Sequence, residues 1–138
     1  MSTPIALAIS AVFLGGFMKF FWQLGMKNGV DIPSFFVVDA LFMLICAFVL
    51  IFVQKHPFNL SPRMSLIAAL GGIFGAASII VIMHAISSGG EGSIVYPIVS
   101  VETAVAVILA FLVFGEPMTF TRIVGLGLGV SSIVVLSR

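Results

Sequence analysis

The sequence has 138 residues, of which 61% are hydrophobic and only 8% are charged, and its formal net charge is +1. Because a soluble domain carries about 25% charged residues, this composition excludes a soluble globular domain and indicates an integral membrane protein. The six Lys and Arg residues are scattered singly, so the sequence offers no basic patch for a nucleic acid. The length predicts one domain, residues 1–138, built from a few spanning helices.

Five apolar segments follow one another along the chain, separated by short polar or proline- and glycine-containing stretches. About 20 helical residues cross a bilayer core, and in lipid a helix satisfies its own backbone polar groups. No alternating strand pattern competes with this interpretation. The predicted fold class is therefore an all-α membrane bundle of five helices, at residues 4–22, 34–53, 64–86, 93–114 and 120–136.

The first two predicted helices each carry one charged residue, Lys19 near the end of the first and Asp39 near the start of the second. Lys19 is interpreted as reaching the membrane surface with its long side chain, and the alternative is a counter-ion to Glu102. Asp39 is interpreted as a favourable charge near a helix N-terminus or at the membrane interface. A substrate- or proton-binding role for Asp39 is the alternative.

The glycines of the third and fifth helices predict close helix contacts. Gly71 and Gly75, and likewise Gly125 and Gly129, stand four residues apart, and this spacing lets backbones approach closely in lipid. His84, at the end of the third helix, is interpreted as an interfacial histidine, with pH sensing as the alternative. No Cys or His partner stands at metal-ligand spacing, so the sequence predicts no metal site and no cofactor.

Glu102 lies near the middle of the fourth predicted helix, close to the membrane midplane. A charge at that depth costs roughly 2.5–3.5 kcal/mol, and ionisable groups there usually have a function. Glu102 is predicted to bind substrate or a proton, and the alternative is a structural carboxyl that ties helices together. Pro97 is expected to bend this helix near Glu102. Tyr96 and Ser100 are candidates for hydrogen bonds to substrate, with an interfacial tyrosine as the alternative for Tyr96.

The second half of the sequence resembles the end of an EamA-type domain of the drug/metabolite transporter superfamily. A glycine-rich helix, a small-residue connector, the interior Glu102, the pair Gly115-Glu116 and Gly125 in the last helix carry the resemblance. Thr103 stands where many members have a proline after the interior glutamate. The five-helix layout extends the resemblance to the whole chain, which looks like the short five-helix members of the superfamily.

Two shorter resemblances point to different functions. The tripeptide MKF at residues 18–20 is similar to the end of the first helix in the small multidrug resistance branch. That branch has an essential glutamate eight residues before the lysine, where this sequence has Ala11. This difference argues against efflux of quaternary cations by that route. Tyr96, Pro97 and Ser100 are similar to residues of four-helix flippase subunits for lipid-linked aminoarabinose.

The superfamily resemblance implies a transporter that moves a small organic metabolite or amphipathic solute by alternating access, with proton-coupled export through Glu102. The alternatives are a flippase or flippase subunit for a lipid-linked sugar or phospholipid, and an assembly partner that transports nothing. No Ser/His/Asp or Cys/His constellation suggests an enzyme.

The resemblance also implies a pairing of five-helix units. Basic residues divide almost equally between the two sides of the predicted bundle, so the positive-inside rule selects no orientation. This balance is compatible with an antiparallel homodimer or pairing with a paralogue, and the alternative is a single orientation. The expected location is the prokaryotic cytoplasmic (inner) membrane.

Overall fold

The computed structural model describes residues 3–55, 59–115, 117 and 119–136, without the side chains of residues 133, 134 and 136. Within these ranges the regular secondary structure is entirely helical, which confirms the predicted all-α class. The helices are α1 (Thr3–Lys27), α2 (Ile32–Gln54), α3 (Pro62–Ser87), α4 (Gly92–Ser100), α5 (Glu102–Phe114) and α6 (Phe120–Leu136). Helices α4 and α5 occupy the fourth predicted segment.

Four stretches of the described chain are long and apolar enough to cross a membrane, namely α1, α2, α3 and Gly92–Phe114. The last of these combines α4 and α5. Helix α6 is shorter, with 17 residues. The apolar side chains of these helices are mostly exposed, as expected where the surrounding solvent is lipid.

Local sequence signals set the helix ends. The Asp31 carboxylate caps α2, because its Oδ2 accepts hydrogen bonds from the Ser34 backbone N at 3.0 Å and from the Ser34 Oγ at 2.7 Å. These two bonds stabilise the anion and lower the pKa of Asp31. Gly29 after α1 and Gly115 after α5 have φ of 72° and 63°, a left-handed conformation that glycine adopts without strain.

The chain divides into two compact units, Met1–Ser88 and Gly89–Arg138. In the N-terminal unit, α3 packs against α1 and α2. The buried side chains lie toward the C-terminal ends of α1 and α3, and they are Trp22, Met26, Ile82, Met83 and Ile86. The core of this unit is therefore at one end of its helices.

Helices α1 and α2 approach closely next to the loop that joins them. A Cβ atom placed on Gly25 would lie 2.6 Å from Cε2 of Phe35, closer than real side chains pack. The absence of a side chain at Gly25 thus lets the Phe35 ring lie against the α1 backbone. This contact brings α1 and α2 together beside their connecting loop.

In the C-terminal unit, α6 packs mainly against α4 and touches α5 at fewer points. Ala104 and Gly92 are the buried residues of the part of this unit that the structure describes. Because α5 lies less closely against α6 than α4 does, a groove remains between α5 and α6.

Candidate functional site

The fourth apolar segment is interrupted at Val101, four residues after Pro97. The Val101 N donates to the carbonyl of Ile98 at 3.3 Å, and the Ala104 N donates to the carbonyl of Val101 at 2.8 Å. Both bonds reach back three residues instead of the four of an α-helix. The segment that was expected to bend near Glu102 is therefore divided into two helices directly before it.

Two side-chain hydroxyls satisfy carbonyls that the interruption releases. The Ser100 Oγ donates to the carbonyl of Pro97 at 2.6 Å, and the Thr103 Oγ1 donates to the carbonyl of Ser100 at 2.8 Å. Without water, an unpaired backbone group in lipid costs several kcal/mol. The hydroxyls of Ser100 and Thr103 therefore make a helix break tolerable at membrane depth.

Glu102 is the first residue of α5 and is exposed. Among the residues that the structure describes, its carboxylate has no hydrogen-bond or ion-pair partner. Val101, directly before Glu102, keeps right-handed helical φ and ψ of -69° and -11°, so α4 runs closely into α5, and the start of α5 favours a negative charge by at most about 0.3–1 kcal/mol. A charge at the membrane midplane costs roughly 2.5–3.5 kcal/mol, so the helix end offsets only part of that cost.

A groove of about 790 Å³ runs between α5 and α6. It is lined mainly by small and apolar side chains, at Ser100, Val101, Thr103, Ala104, Ala106, Val107, Ala110, Arg122, Gly125, Leu126 and Gly129. Helix α5 rises about 20 Å from the interruption to its end, at about 1.5 Å per residue. The groove thus extends from the helix break in the middle of the segment toward the α5–α6 connection, where Arg122 lies.

Arg122 is in the first turn of α6, and its Nη1 donates to the carbonyl of Pro117 at 2.8 Å. The helix is capped by Thr119, whose Oγ1 accepts a hydrogen bond from the Arg122 N at 3.4 Å. The guanidinium lies at the groove end that is remote from Ser100 and Thr103. The groove therefore has a cationic end and a hydroxyl end, with apolar walls between them.

The structure brings together only some of the predicted site residues. Ser100, Gly125 and Gly129 line the groove, whereas Glu102 is next to the groove-lining Val101 and Thr103 but does not line the groove itself. Tyr96 and Pro97 are half-buried in α4. A Cβ atom placed on Gly125 or Gly129 would meet nothing within 4 Å, because the groove is open at both positions.

The remaining candidates lie in the N-terminal unit. Lys19 is half-buried, and His84 is exposed. The Asp39 Oδ1 accepts a hydrogen bond from Trp22 Nε1 at 3.5 Å. Gly71 and Gly75 are exposed on α3, with nothing within 4 Å of a Cβ placed on them, and their role in helix packing stays a prediction. Glu116 of the Gly115-Glu116 pair lies outside the described residues.

Two polar residues of the groove were not predicted from the sequence, because Arg122 was counted only as a loop charge and Thr103 was noted only as a residue in place of a proline. The spacing of Arg122 contained a usable signal. Residues three and seven positions later are Gly125 and Gly129, and this spacing places all three on one face of a helix. Thr103 stands three residues after Ser100, which is the distance at which a hydroxyl reaches back along a helix.

Over the described residues the regular structure is helical, and four stretches are long and apolar enough to cross a membrane, so the protein is an integral, multi-pass membrane protein. The model of the EamA-like transporter family matches residues 2–138, and the chain belongs to that family. No curated protein and no solved structure matches the chain. The family predicted from the second half of the sequence is confirmed, and it is a family of transporters, not of enzymes.

We expect Ser100→Ala to lower the free energy of unfolding by about 1–3 kcal/mol, because the Pro97 carbonyl would lose its partner. Equilibrium unfolding in mixed micelles measures this change in the free energy of unfolding. Ser131→Ala is the matched control, since the Ser131 Oγ donates at 2.7 Å to a carbonyl that already accepts a backbone bond inside the regular helix α6. Equal losses in the two variants would contradict the role assigned to Ser100.

Proposed function

We propose that the protein is a secondary transporter that moves a small organic or amphipathic solute along the groove between α5 and α6 by alternating access. The observation that carries this proposal is the helix interruption at Val101, which opens directly onto the groove. Interrupted helices are tolerated at membrane depth where they line a cavity, and transporters place substrate sites beside them. Membership in the EamA-like transporter family supports the general function.

The chemistry of the groove indicates a class of substrate. At the end near the interruption, the Ser100 Oγ and the Thr103 Oγ1 donate their protons to backbone carbonyls, so toward a solute they act as acceptors. At the other end, the Arg122 guanidinium attracts an anionic or hydrogen-bond-accepting group. We propose a solute with a donor group, an apolar middle and an acidic or phosphate group.

Glu102 is proposed to exchange the coupling proton. The N-terminus of α5 offsets only part of the cost of its charge at the membrane midplane, and no described side chain neutralises it. A proton or the donor group of a solute would supply the remaining compensation. Glu102 follows Val101 directly, so a change in the helix interruption during transport would change its exposure to water. Export is the proposed direction.

A flippase function is the second candidate, and Arg122 is the residue that favours it. A guanidinium at the end of an apolar groove is suited to the phosphate of a lipid-linked sugar or phospholipid, whose chains would remain among the membrane lipids. Such a substrate needs an opening to lipid and no proton exchange. The two candidates therefore differ in the requirement for Glu102.

We expect the wild-type protein in detergent to release protons when its substrate class is added, because substrate and proton would compete at Glu102. The probes are separate mixtures of organic cations, amino acids, amino sugars and polyprenyl phosphates. Glu102→Gln should abolish the release while binding of the polyprenyl phosphate mixture, if any, persists. Proton release that is unchanged in Glu102→Gln would exclude Glu102 as the coupling carboxylate, and binding without release would favour the flippase.

A second prediction tests the groove. Gly129→Leu should lower transport of the responding solute class by about tenfold or more, because the new side chain would occupy the groove. Gly127→Leu is the matched control, since Gly127 belongs to the same helix, also has open space around it, and does not line the groove. Uptake into proteoliposomes measures both variants, and equal effects would show that the groove is not the transport path.

The proposed assembly is an antiparallel homodimer or a pair with a paralogue in a prokaryotic cytoplasmic membrane, supported by the even division of basic residues. In a Cys46→Ser background, we expect Asn28→Cys and Asn59→Cys each to be labelled on about half of the copies by a membrane-impermeant maleimide. Helix α2 separates these two loop positions, so they lie on opposite sides of the membrane. Complete labelling of one position and none of the other would exclude the antiparallel homodimer.

A further inference from the structure

The buried face of α2 contains a carboxyl group. The half-buried residues of this helix are Ile32, Phe35, Phe36 and Asp39, while the other residues of the helix are exposed. Their spacing of three and four positions places them on one face. Asp39 is two turns inside the helix, and the cap at the start of α2 is provided by Asp31 instead. Asp39 therefore does not serve as the capping residue.

Trp22 of α1 holds the Asp39 carboxyl group from one side. The indole is 3% exposed, and its Nε1 donates to Asp39 Oδ1 at 3.5 Å, the outer limit for an N–H···O bond. Asp39 Oδ2 is buried and has no hydrogen-bond partner in the part of the chain that the structure describes. Close to this pair, the Phe35 ring lies against the α1 backbone at Gly25.

An ionised Asp39 would be poorly compensated in this arrangement. A negative charge on a carboxylate whose Oδ2 is buried without a partner is costly, and one long hydrogen bond from a neutral indole offsets only part of that cost. A proton on Oδ2 removes the charge and leaves Oδ1 as the carbonyl oxygen that accepts from Trp22. A metal ion or an organic cation would require an accessible oxygen, and Oδ2 has an accessible area under 1 Å².

We propose that Asp39 is a proton-binding residue of the N-terminal unit, with the proton on Oδ2, and that Trp22 is its positioning residue through Oδ1. When α1 and α2 separate enough to admit water, the O–H bond of the Oδ2 hydroxyl breaks and the proton passes to water. The presence of this proton is independent of the transporter mechanism proposed above, whereas its use in coupling rests on that mechanism.

The other titratable groups near Asp39 and Trp22 lie on all three helices of the unit. From α1, Lys19 is half-buried one turn before Trp22, and Lys27 is exposed at the helix end. From α3, His84 is exposed beside the buried Met83. On α2 itself, Asp31 is exposed and bonded to Ser34. Lys19, Lys27 and His84 each require a control, because their charges could influence the Trp22 indole.

The sequence contains a single tryptophan, so the fluorescence of the purified full-length protein in nanodiscs reports on Trp22 alone. As the pH rises and Asp39 loses its proton, the indole bond becomes charge-assisted and shorter, and the emission should change in one step. Asp39→Asn should remove this step completely. The variants Glu102→Gln, Lys19→Met, Lys27→Met and the double variant His56→Gln/His84→Gln should retain it.

Infrared spectroscopy provides the direct test and does not depend on the fluorescence. The wild type should show a carbonyl band of a protonated carboxylic acid that Asp39→Asn removes. Trp22→Phe keeps the carboxyl group but removes the N–H donor, so the band should shift and persist even if Asp39→Asn fails to fold. A wild type without this band, an unshifted band in Trp22→Phe, or an emission step that persists in folded Asp39→Asn would overturn the proposal. Loss of ligand-induced proton release in Glu102→Gln tests the transport mechanism separately.

Discussion

The helical structure of the C-terminal unit depends on hydrogen-bond partners for its backbone carbonyls, because lipid offers none. Pro97 cannot donate a backbone hydrogen bond, and the tightened turn around Val101 releases the carbonyls of Pro97 and Ser100. The hydroxyls of Ser100 and Thr103 donate to these two carbonyls, so the segment passes from α4 to α5 without leaving either of them unpaired. Glu102 is the first residue of α5, and the groove opens beside it.

The two intramembrane carboxyl groups occupy opposite kinds of environment. Glu102 is exposed as the first residue of α5, and its carboxylate has no partner among the described residues. Asp39 is half-buried on one face of α2, with Oδ2 sealed from solvent and Oδ1 next to the Trp22 indole. The chain thus has one carboxyl group that is open to its surroundings and one that is largely enclosed.

Helix positions were largely predictable because local chemistry determines them. Proline and glycine end the apolar segments, and Pro97 signals a distortion of the fourth segment. The site of the interruption was less predictable, since it depends on which hydroxyls can reach the released carbonyls. Arg122 was not predicted as a groove residue for a different reason. A count of loop charges does not consider the helical face that Arg122 shares with Gly125 and Gly129. Of the residues that line the groove, the sequence therefore predicted only Ser100, Gly125 and Gly129.

Composition and the order of apolar segments determined, without any structure, that this chain is an all-α membrane protein, and its motifs indicated the transporter family. These properties follow from the free-energy cost of unpaired polar groups in lipid, because each helical segment satisfies its own backbone hydrogen bonds. Only the tertiary structure decided that Trp22 meets Asp39 and that α6 packs against α4, leaving a groove beside α5. Helix pairing in lipid has no strong hydrophobic driving force, so it depends on the shapes and hydrogen bonds of side chains that are distant in sequence.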